Sequence, residues 1–228
     1  MLKFEAVTKK YAGDQIALLE IDLEIGDGEF VFVVGSSGAG KSTLLRLITR
    51  EILPTSGRIL INNEDIFLLP TAKVPQFRRR IGTVFQDFKL LLTRTVFENV
   101  ALPLEVLSKK DSEIEKEVST ILEKVGLLEK ANSFPSELSG GEVQRTAIAR
   151  AIISAPQVLL ADEPTADLDP KTALSVVSLL DKINKEDKTT VIMASHNATI
   201  VNHFKKRVVV LEKGKIVKDE KEGKYESG

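Results

Sequence analysis

Two patterns of apolar residues mark the first part of the chain. Between Leu19 and Ile25 apolar and acidic residues alternate, and this period of two predicts a half-buried strand that ends at the glycines after residue 25. Residues 30–34 are instead consecutive apolar residues, a pattern typical of a strand covered on both faces of a parallel sheet. We therefore expect antiparallel β structure near the N-terminus and a buried core sheet from residue 30 onward.

Further strands and helices follow, with one helical insertion. Ser112 and Glu115 have the spacing of a capping box, and apolar residues then recur on one helical face, so residues of about 90–135 are expected to be helical. The other predicted elements are strands at Arg58–Ile61, Ile81–Phe85, Val158–Ala161 and Val191–Ala194, helices after Gly40, over Thr146–Ile153 and over about Pro170–Asn184, and a terminal hairpin between Val208 and Val217.

The composition excludes several classes of protein. A formal net charge of −1 argues against a nucleic-acid-binding role, and 43% hydrophobic residues argue against a disordered chain. The lack of cysteine excludes disulfides and Cys-based zinc sites and fits a reducing compartment. No basic N-terminal stretch precedes an apolar core, and no apolar run approaches the roughly 20 residues that span a bilayer. We expect a cytoplasmic protein that another protein would have to hold at a membrane.

A phosphate-binding loop is predicted between the buried apolar run and the helical pattern that follows it. Residues 35–42 match G-x-x-x-x-G-K-[ST]. Glycines let the backbone curl so that successive N–H groups face phosphates, and Lys41 adds a positive charge near the β- and γ-phosphates. Ser42 is expected to supply a hydroxyl ligand to Mg²⁺. The loop consists of Gly35, Ser36, Ser37, Gly38, Ala39, Gly40, Lys41 and Ser42.

Two carboxylates follow a second apolar run, which begins at Val158. Asp162 and Glu163 stand where a parallel strand delivers groups to a nucleotide site. Asp162 is the candidate magnesium ligand, and Glu163 is the candidate general base or the group that orients the attacking water. Acidic residues at the end of a strand are commonly only solvated. The catalytic interpretation of Asp162 and Glu163 therefore depends on the phosphate loop elsewhere in the same chain.

A second anion-binding helix start is predicted after Leu138. The run Ser139, Gly140, Gly141 and Glu142 precedes a helical stretch, although Ser139 and Glu142 also have the spacing of an ordinary capping box. A single nucleotide does not need both the phosphate loop and a second anion-binding helix start, so the second one requires an explanation.

With these motifs the chain resembles the nucleotide-binding subunits of the ATP-binding-cassette (ABC) superfamily over essentially its whole length. The resemblance implies an ATPase with an α/β fold: a P-loop NTPase core with a mixed, largely parallel sheet, an N-terminal antiparallel β subdomain and an inserted α-helical subdomain. It implies one domain over residues 1–228, in which residues 1–89 and 136–228 form the core and the β subdomain, and residues of about 90–135 form the helical subdomain.

The same resemblance implies ATP and Mg²⁺ as cofactors and a head-to-tail homodimer with two composite sites. In that dimer Ser139 and its glycines reach the γ-phosphate held by the opposite subunit. The resemblance also implies that Tyr11 stacks on adenine, that Thr43 belongs to the nucleotide-binding set, that Gln86 couples the magnesium and the water to the partner, that Asp169 lies in the subunit-bridging loop, and that His196 contacts the γ-phosphate. Each of these is commonly an ordinary residue when taken singly; their order along the chain supports the assignment.

Several segments, among them Val84–Leu91 and Arg94–Ala101, resemble the subgroup of the family that serves bacterial cell division. For this subgroup the resemblance implies an integral membrane permease as partner and signalling to cell-wall hydrolases outside the cell. Ala166-Asp167 and Leu102–Leu104 depart from its pattern, so the ATPase of a lipoprotein-release or macrolide-type exporter stays open, as does a nucleotide-gated scaffold. A coiled-coil DNA-repair ATPase is disfavoured because sustained heptads are missing before Ser139.

Two further surface features suggest contacts with other molecules. Arg78–Arg80 form a basic cluster that would suit lipid headgroups, although such clusters are more often solvated. The segment around Gln86 is unusually apolar, which suits either a groove for a partner's amphipathic helix or packing within the helical subdomain. Its apolar members are Phe85, Phe88, Leu90, Leu91, Leu92, Val96 and Phe97, and its charged rim is expected to be Asp87, Lys89, Arg94 and Glu98.

Overall fold

The computed structural model describes residues 1–225, so the last three residues of the predicted domain lie outside it. The described residues form ten strands and seven α-helices. The strands are β1 (Leu2–Lys10), β2 (Ile16–Ile25), β3 (Phe30–Val34), β4 (Ser56–Ile61), β5 (Glu64–Asp65), β6 (Ile81–Val84), β7 (Val158–Asp162), β8 (Thr190–Ser195), β9 (Arg207–Glu212) and β10 (Lys215–Glu220). The helices are α1 (Lys41–Ile48), α2 (Val74–Arg78), α3 (Val96–Val106), α4 (Asp111–Lys124), α5 (Gly140–Ile152), α6 (Pro170–Asp187) and α7 (Ala198–Phe204).

These strands build two sheets. The first has the order β2-β1-β4-β5 and is antiparallel throughout. The second has the order β10-β9-β3-β8-β7-β6, in which all pairs are parallel except β9 with β10 at one edge. This mixed, largely parallel sheet together with the antiparallel sheet confirms the predicted α/β fold class.

The predicted core strand is the centre of the second sheet. All five residues of β3 are buried, because helices and the first sheet cover its two faces. Its register aligns Val34 with Ser195 of β8, and Asp162 of β7 is aligned with Ala194 of the same strand. The carboxyl ends of three parallel strands therefore stop at one level, which is where a doubly wound sheet binds ligands.

Three apolar clusters hold these layers together. The first lies between the antiparallel sheet and one face of the core sheet, where it includes α1, and the second packs α5, α6 and α7 on the opposite face. The third joins α3 and α4, and Ala149 and Ile153 at the end of α5 complete it. Because α5 contributes to both the second and third clusters, the helical insertion is packed on the core. The division at residues 90 and 135 stays a prediction.

Several local expectations hold. Ile114, Val118 and Leu122 are buried on one face of α4, as the helical periodicity predicts. The terminal hairpin turns at Lys213 and Gly214, which both have left-handed backbone angles, as a two-residue hairpin turn requires.

Other local expectations are wrong. The α4 helix begins at Asp111 and not after Ser112: the carboxylate of Glu113 accepts from the backbone N–H of Lys110 and so closes the first turn. The predicted strand at Ile81–Phe85 ends at Val84, because Phe85 leaves the ladder and is exposed. Sequence periodicity also missed β1, since its register shifts after Phe4 and interrupts the alternation.

The basic cluster at Arg78–Arg80 is largely used inside the protein. Arg78 donates to the carbonyl oxygens of Thr49 and Arg50, and Arg80 donates to the side chain of Gln157. These bonds favour a structural role over contact with lipid. Within residues 1–225, none of the helices combines the length and the apolar character needed to cross a bilayer.

Candidate nucleotide site

The phosphate loop connects β3 to α1 through a backbone that only glycine permits at two positions. Gly35 and Gly40 have φ values of 151° and 110°, and an added Cβ would lie 2.2 Å from the carbonyl oxygen of Leu211 and 2.5 Å from that of Ala17. The loop is therefore pressed against the first sheet and the terminal hairpin. It opens on a pocket of about 940 Å³.

Most of the predicted loop residues line this pocket. Gly35, Ser36, Ser37, Gly38, Gly40, Lys41, Ser42 and Thr43 do so. Ala39 is the exception, because its side chain is buried in the first apolar cluster. Lys41 is itself largely buried, and its ammonium donates to the carbonyl oxygens of Gly35 at 2.8 Å and Ser36 at 3.2 Å. The cation is thus held in place by its own loop.

Glu163 contacts both the phosphate loop and His196, the residue that follows β8. Its carboxylate lies 3.4 Å from the ammonium of Lys41, and its other oxygen lies 3.0 Å from Nδ1 of His196. The backbone N–H of His196 also donates to that second oxygen at 3.3 Å. Glu163 has a left-handed φ of 48°, an uncommon conformation for a residue with a side chain, and such outliers concentrate at functional sites.

Asp162, the last residue of β7, contacts Ser42 of the phosphate loop. The hydroxyl of Ser42 donates to its carboxylate at 3.2 Å. Burial raises the pKa of Asp162 above its ordinary 3.8, the hydrogen bond from Ser42 opposes that shift, and the neighbouring charge of Glu163 adds to it. The hydrogen bond from Ser42 and the charge of Lys41 compensate the negative charge of Asp162 only in part, which favours a bound cation in this position. The residues available are a hydroxyl and a carboxylate, which are hard oxygen ligands of the kind Mg²⁺ prefers.

Tyr11 and Gln86 line the same pocket from different elements. The hydroxyl of Tyr11 lies 3.4 Å from that of Thr43, and the ammonium of Lys9 lies 5.2 Å from the centre of its ring. Gln86 follows β6 at the opposite side of the sheet from the terminal hairpin. The structure thus brings Tyr11, Gln86, Glu163 and His196 together around the phosphate loop.

The second cradle is not part of this pocket. Ser139 caps α5, and its hydroxyl donates to the carboxylate of Glu142 at 2.7 Å, while its backbone N–H donates to the same oxygen at 2.8 Å. These two bonds lower the pKa of Glu142. Gly141 allows a close approach, since an added Cβ would lie 2.6 Å from the side chain of Thr172.

Asp169 lies on the same side of the molecule as this cradle. It caps α6 by accepting from the backbone N–H groups of Lys171 and Thr172. Hydrogen bonding by the side chain of Thr172, and then by these backbone groups, lowers the pKa of Asp169. The preceding Leu168 lies 3.4 Å from the position of an added Cβ on Gly140. Among residues 1–225, Ser139, Gly140, Gly141, Glu142 and Asp169 are all missing from the lining of the phosphate-loop pocket. One subunit therefore carries two separate groups of predicted site residues.

The apolar segment around Gln86 is only partly a surface. Phe85, Leu91 and Leu92 are exposed, whereas Val96 is fully buried. The other predicted groove residues, Phe88, Leu90 and Phe97, pack against the apolar clusters. On the rim, Asp87 pairs with Lys89, Arg94 pairs with Glu105, and Glu98 closes the cap of α3 by accepting from Thr95 N–H. Of the two alternatives, packing inside the protein therefore holds for Phe88, Leu90, Val96 and Phe97, and an exposed apolar surface is left only at Phe85, Leu91 and Leu92.

Sequence reasoning missed part of the pocket wall. The additional lining residues are Gln15, Ile16, Ala17, Val210, Glu212, Lys213 and Tyr225. They come from β2, the terminal hairpin and the C-terminal segment. No local motif marks them, because what brings them to the pocket is contact between the two sheets.

A sequence model described as "ABC transporter" matches residues 18–166 of the chain, which is more than half of its length. The chain belongs to the ABC transporter family. It is an ATP-binding ATPase of that family, and the resemblance inferred from its motifs is confirmed.

Curated relatives and solved structures agree with this membership. The chain is 51% identical over 227 residues to the cell division ATP-binding protein FtsE of Bacillus subtilis, covering 100% of this chain and 99% of that protein. It is 46% identical over 220 residues to the methionine import ATP-binding protein MetN of Xanthomonas oryzae pv. oryzae, covering 95% of this chain and 66% of that protein. A dimeric post-hydrolysis structure of the ATP-binding cassette MJ0796 with ADP and Pi has a TM-score of 0.88 and 39% identity, covering 99% of this chain and 100% of that one.

Proposed function

We propose that the chain is the ATP-hydrolysing subunit of a bacterial cell-division complex, in which two copies close around two ATP–magnesium complexes and act on an integral membrane permease of the FtsX type. The observation that carries the chemistry is the position of Glu163 at the phosphate loop, where one carboxylate oxygen lies 3.4 Å from the ammonium of Lys41 and the other lies 3.0 Å from Nδ1 of His196. In this proposal the subunit is cytoplasmic and is held at the inner face of the membrane by its partner.

Each residue of the cluster has a distinct role in the proposed reaction. Lys41 neutralises charge on the transferred phosphoryl group, and Glu163 orients the attacking water or accepts its proton. His196 holds the carboxylate of Glu163 and contacts the γ-phosphate. Ser42 and Asp162 would hold Mg²⁺, which neutralises phosphate charge when it is bound. Tyr11 provides an aromatic face for adenine.

The proposed dimer follows from the separation of the two groups of site residues. Ser139 is exposed at the start of α5 and lies outside the phosphate-loop pocket. A helix start with free N–H groups binds anions, and the anion available in a head-to-tail dimer is the γ-phosphate held by the other subunit. MJ0796 is dimeric in its post-hydrolysis structure, which supports a dimer here.

A role in cell division is favoured over a role in import because the chain matches a larger share of FtsE than of MetN. The match to FtsE extends over 99% of that protein, whereas the match to MetN leaves about a third of that importer subunit without a counterpart. This difference supports a partner of the kind used by FtsE.

The first test replaces Glu163 with Gln, which keeps the size of the side chain and removes its charge. We expect ATP binding to persist, hydrolysis to fall by about 100-fold or more, and an ATP-bound dimer to accumulate in size-exclusion chromatography. Glu212→Gln is the matched control. Glu212 lines the same pocket, but within residues 1–225 its side chain makes no hydrogen bond to the phosphate loop. Native hydrolysis by a monomeric Glu163→Gln variant would exclude Glu163 as the catalytic carboxylate.

The proposed route to the membrane partner begins at Gln86. Arg150 of α5 donates to the carbonyl oxygens of Phe88 and Lys89 at 2.8 and 2.7 Å. On the α3 side, the fully buried Asn99 exchanges hydrogen bonds with the backbone of Leu91. The segment after Gln86 is therefore tied to both helices, and a shift of α5 on dimer closure would move it.

The second test concerns the exposed part of this segment. Leu92 is 72% exposed, and Leu91 and Phe85 of the same segment are also exposed, which suits an apolar contact with a short helix of the permease. We expect Leu92→Asp and Asp87→Arg to reduce co-purification with the detergent-solubilised permease while ATP binding stays unchanged. Leu68→Asp is the control, since Leu68 is 81% exposed and lies outside this segment. Full recovery of the permease with both variants would place the coupling surface elsewhere. Glu98 is unsuitable for this test because it caps α3.

A further inference from the structure

The last described residues fold back toward the nucleotide pocket. Gly223 lies so close to β9 that an added Cβ would approach the Cβ of Val208 to 2.7 Å. Tyr225 then exchanges two hydrogen bonds with Asn202 of α7: its N–H donates to Asn202 Oδ1 at 2.8 Å, and Asn202 Nδ2 donates to its carbonyl oxygen at 2.9 Å. Residues Gly223–Tyr225, the C-terminal clamp, are thus fixed at two points.

The clamp places an aromatic ring at the pocket. Tyr225 is only 9% exposed and packs in the second apolar cluster with Val208, Val210 and Val201. It also lines the pocket that holds the phosphate loop, Glu163 and His196. Burial raises the pKa of its phenol, and the negative charges of Glu163 and Glu212 raise it further, which agrees with a position beside those carboxylates. The phenol is therefore neutral at physiological pH.

The clamp is also bonded to the helix that follows His196, the residue that contacts Glu163. His196 has a side chain that is 61% exposed, and an exposed side chain keeps more rotamer freedom than a packed one. The helix α7 starts two residues after His196, and Asn202 lies on that helix. The hydrogen bonds to Asn202 thus tie the C-terminal clamp to the helix that directly follows the segment carrying His196.

We propose that Tyr225 is a positioning residue for ATP hydrolysis: its ring, seated by the clamp, closes the pocket beside Glu163 and His196 and holds this pair in place. This inference rests on the proposed catalytic role of Glu163. The ring, rather than the hydroxyl, is what fills the space. Phenylalanine should therefore replace Tyr225 with little loss, and alanine should not.

The first experiment uses tyrosine fluorescence. The chain contains two tyrosines and no tryptophan, so Tyr11→Phe leaves Tyr225 as the sole emitter. We expect its emission to change when AMP-PNP and Mg²⁺ are added in saturating amounts. The Tyr11→Phe/Tyr225→Phe double variant measures the background. Emission that stays at the background-corrected starting level would overturn the placement of Tyr225 at the site, whatever the role of Glu163.

The second experiment separates kcat from KM. We expect Tyr225→Ala and Asn202→Ala to lower kcat by about tenfold, because small displacements of reacting groups are costly, with a KM for ATP within about twofold of native. Tyr225→Phe should keep kcat within about threefold. The control is Lys224→Ala, which alters an exposed neighbour and should leave both constants unchanged. Assays are run where circular dichroism shows every variant to be folded. Native kcat in Tyr225→Ala, or a change confined to KM, would overturn the proposal.

The two proposals fail in different ways. If Glu163→Gln hydrolyses ATP at the native rate, the assignment of Glu163 fails, but the fluorescence response of Tyr225 is unaffected. If Glu163→Gln is inactive and Tyr225→Ala is native, the positioning role alone fails.

Discussion

The carboxylate of Asp162 stands where its surroundings disfavour its ionised form. It is partly buried, it accepts one hydrogen bond from Ser42, and it stands next to the negative charge of Glu163. Burial and that charge raise its pKa, which means that the folded state disfavours the ionised form. Glu163 shows a second conflict, since its left-handed backbone is unfavourable for a residue with a side chain. A bound cation would stabilise the ionised carboxylate of Asp162. The unfavourable backbone of Glu163 would be explained if it directs the carboxylate toward the water that attacks the phosphate.

Asp162→Asn should therefore stabilise the protein while it removes magnesium-dependent hydrolysis. Because the folded pKa lies above the ordinary 3.8, the ionised carboxylate opposes folding at neutral pH, and this penalty disappears as the pH falls through the folded pKa. Thermal unfolding at neutral pH should show a higher Tm for the variant, and the difference should shrink as the pH approaches 3.8. Equal Tm values at neutral pH would contradict the role given to burial.

At the scale of elements, α5 has a different task at each end. Its start carries Ser139 and Glu142, which bond to each other and leave the helix dipole facing outward. Further along, Arg150 holds the backbone of the segment after Gln86. The helix therefore spans from the proposed contact with the partner's nucleotide to the proposed contact with the membrane partner.

The charge of Glu142 should weaken ATP-driven dimer formation. Its carboxylate accepts a hydrogen bond from the hydroxyl of Ser139 at 2.7 Å, so that this hydroxyl is not free to donate to a phosphate. The negative charge would also repel the γ-phosphate of the other subunit. Glu142→Gln keeps an oxygen acceptor for the cap, so in the Glu163→Gln background we expect it to lower the ATP concentration that gives half-maximal dimer. Analytical ultracentrifugation provides the measurement. Glu137→Gln is the matched control, because Glu137 caps the preceding turn through Phe134 N–H; an equal effect from both variants would point to net charge alone.

At the scale of the whole molecule, the fold separates the residues of the nucleotide pocket from the residues that are proposed to contact the other subunit's nucleotide. The phosphate loop, Glu163 and His196 share one pocket at the carboxyl ends of the core strands, while Ser139 and Asp169 lie together outside it. In the proposed head-to-tail dimer, which a two-fold axis would close, each group of residues would meet the other group of the second copy.

Mixing two inactive variants should restore activity in such a dimer. Homodimers of Lys41→Ala lack functional phosphate loops, and homodimers of Ser139→Arg lack functional cradles, so neither should hydrolyse ATP. A heterodimer of the two contains one site in which both halves are native. Random mixing should therefore recover up to about a quarter of native turnover. Turnover that stays at zero after mixing, with both variants folded, would contradict the composite site.

Much of this protein is determined by the sequence alone, wherever the interactions are short in range. The buried run at residues 30–34, the phosphate loop, the cap at Ser139 and the final hairpin each depend on residues within a few positions of one another, and all were predictable. Even the order of the motifs along the chain was enough to indicate the family. Local reasoning failed where a neighbouring turn competed, as at Ser112, and where a register shift broke the alternation, as in β1.

Only the tertiary structure decided which residues share the site and which remain at the surface. Parallel register between β3, β7 and β8 brings Lys41, Glu163 and His196 together, and the reciprocal bonds with Asn202 bring Tyr225 to the same pocket from the end of the chain. Within one apolar stretch, Val96 became core and Leu92 stayed exposed. The physical reason is the same in each case: burial and proximity depend on elements distant in sequence, and local periodicity carries no information about which of those elements will pack against a given side chain.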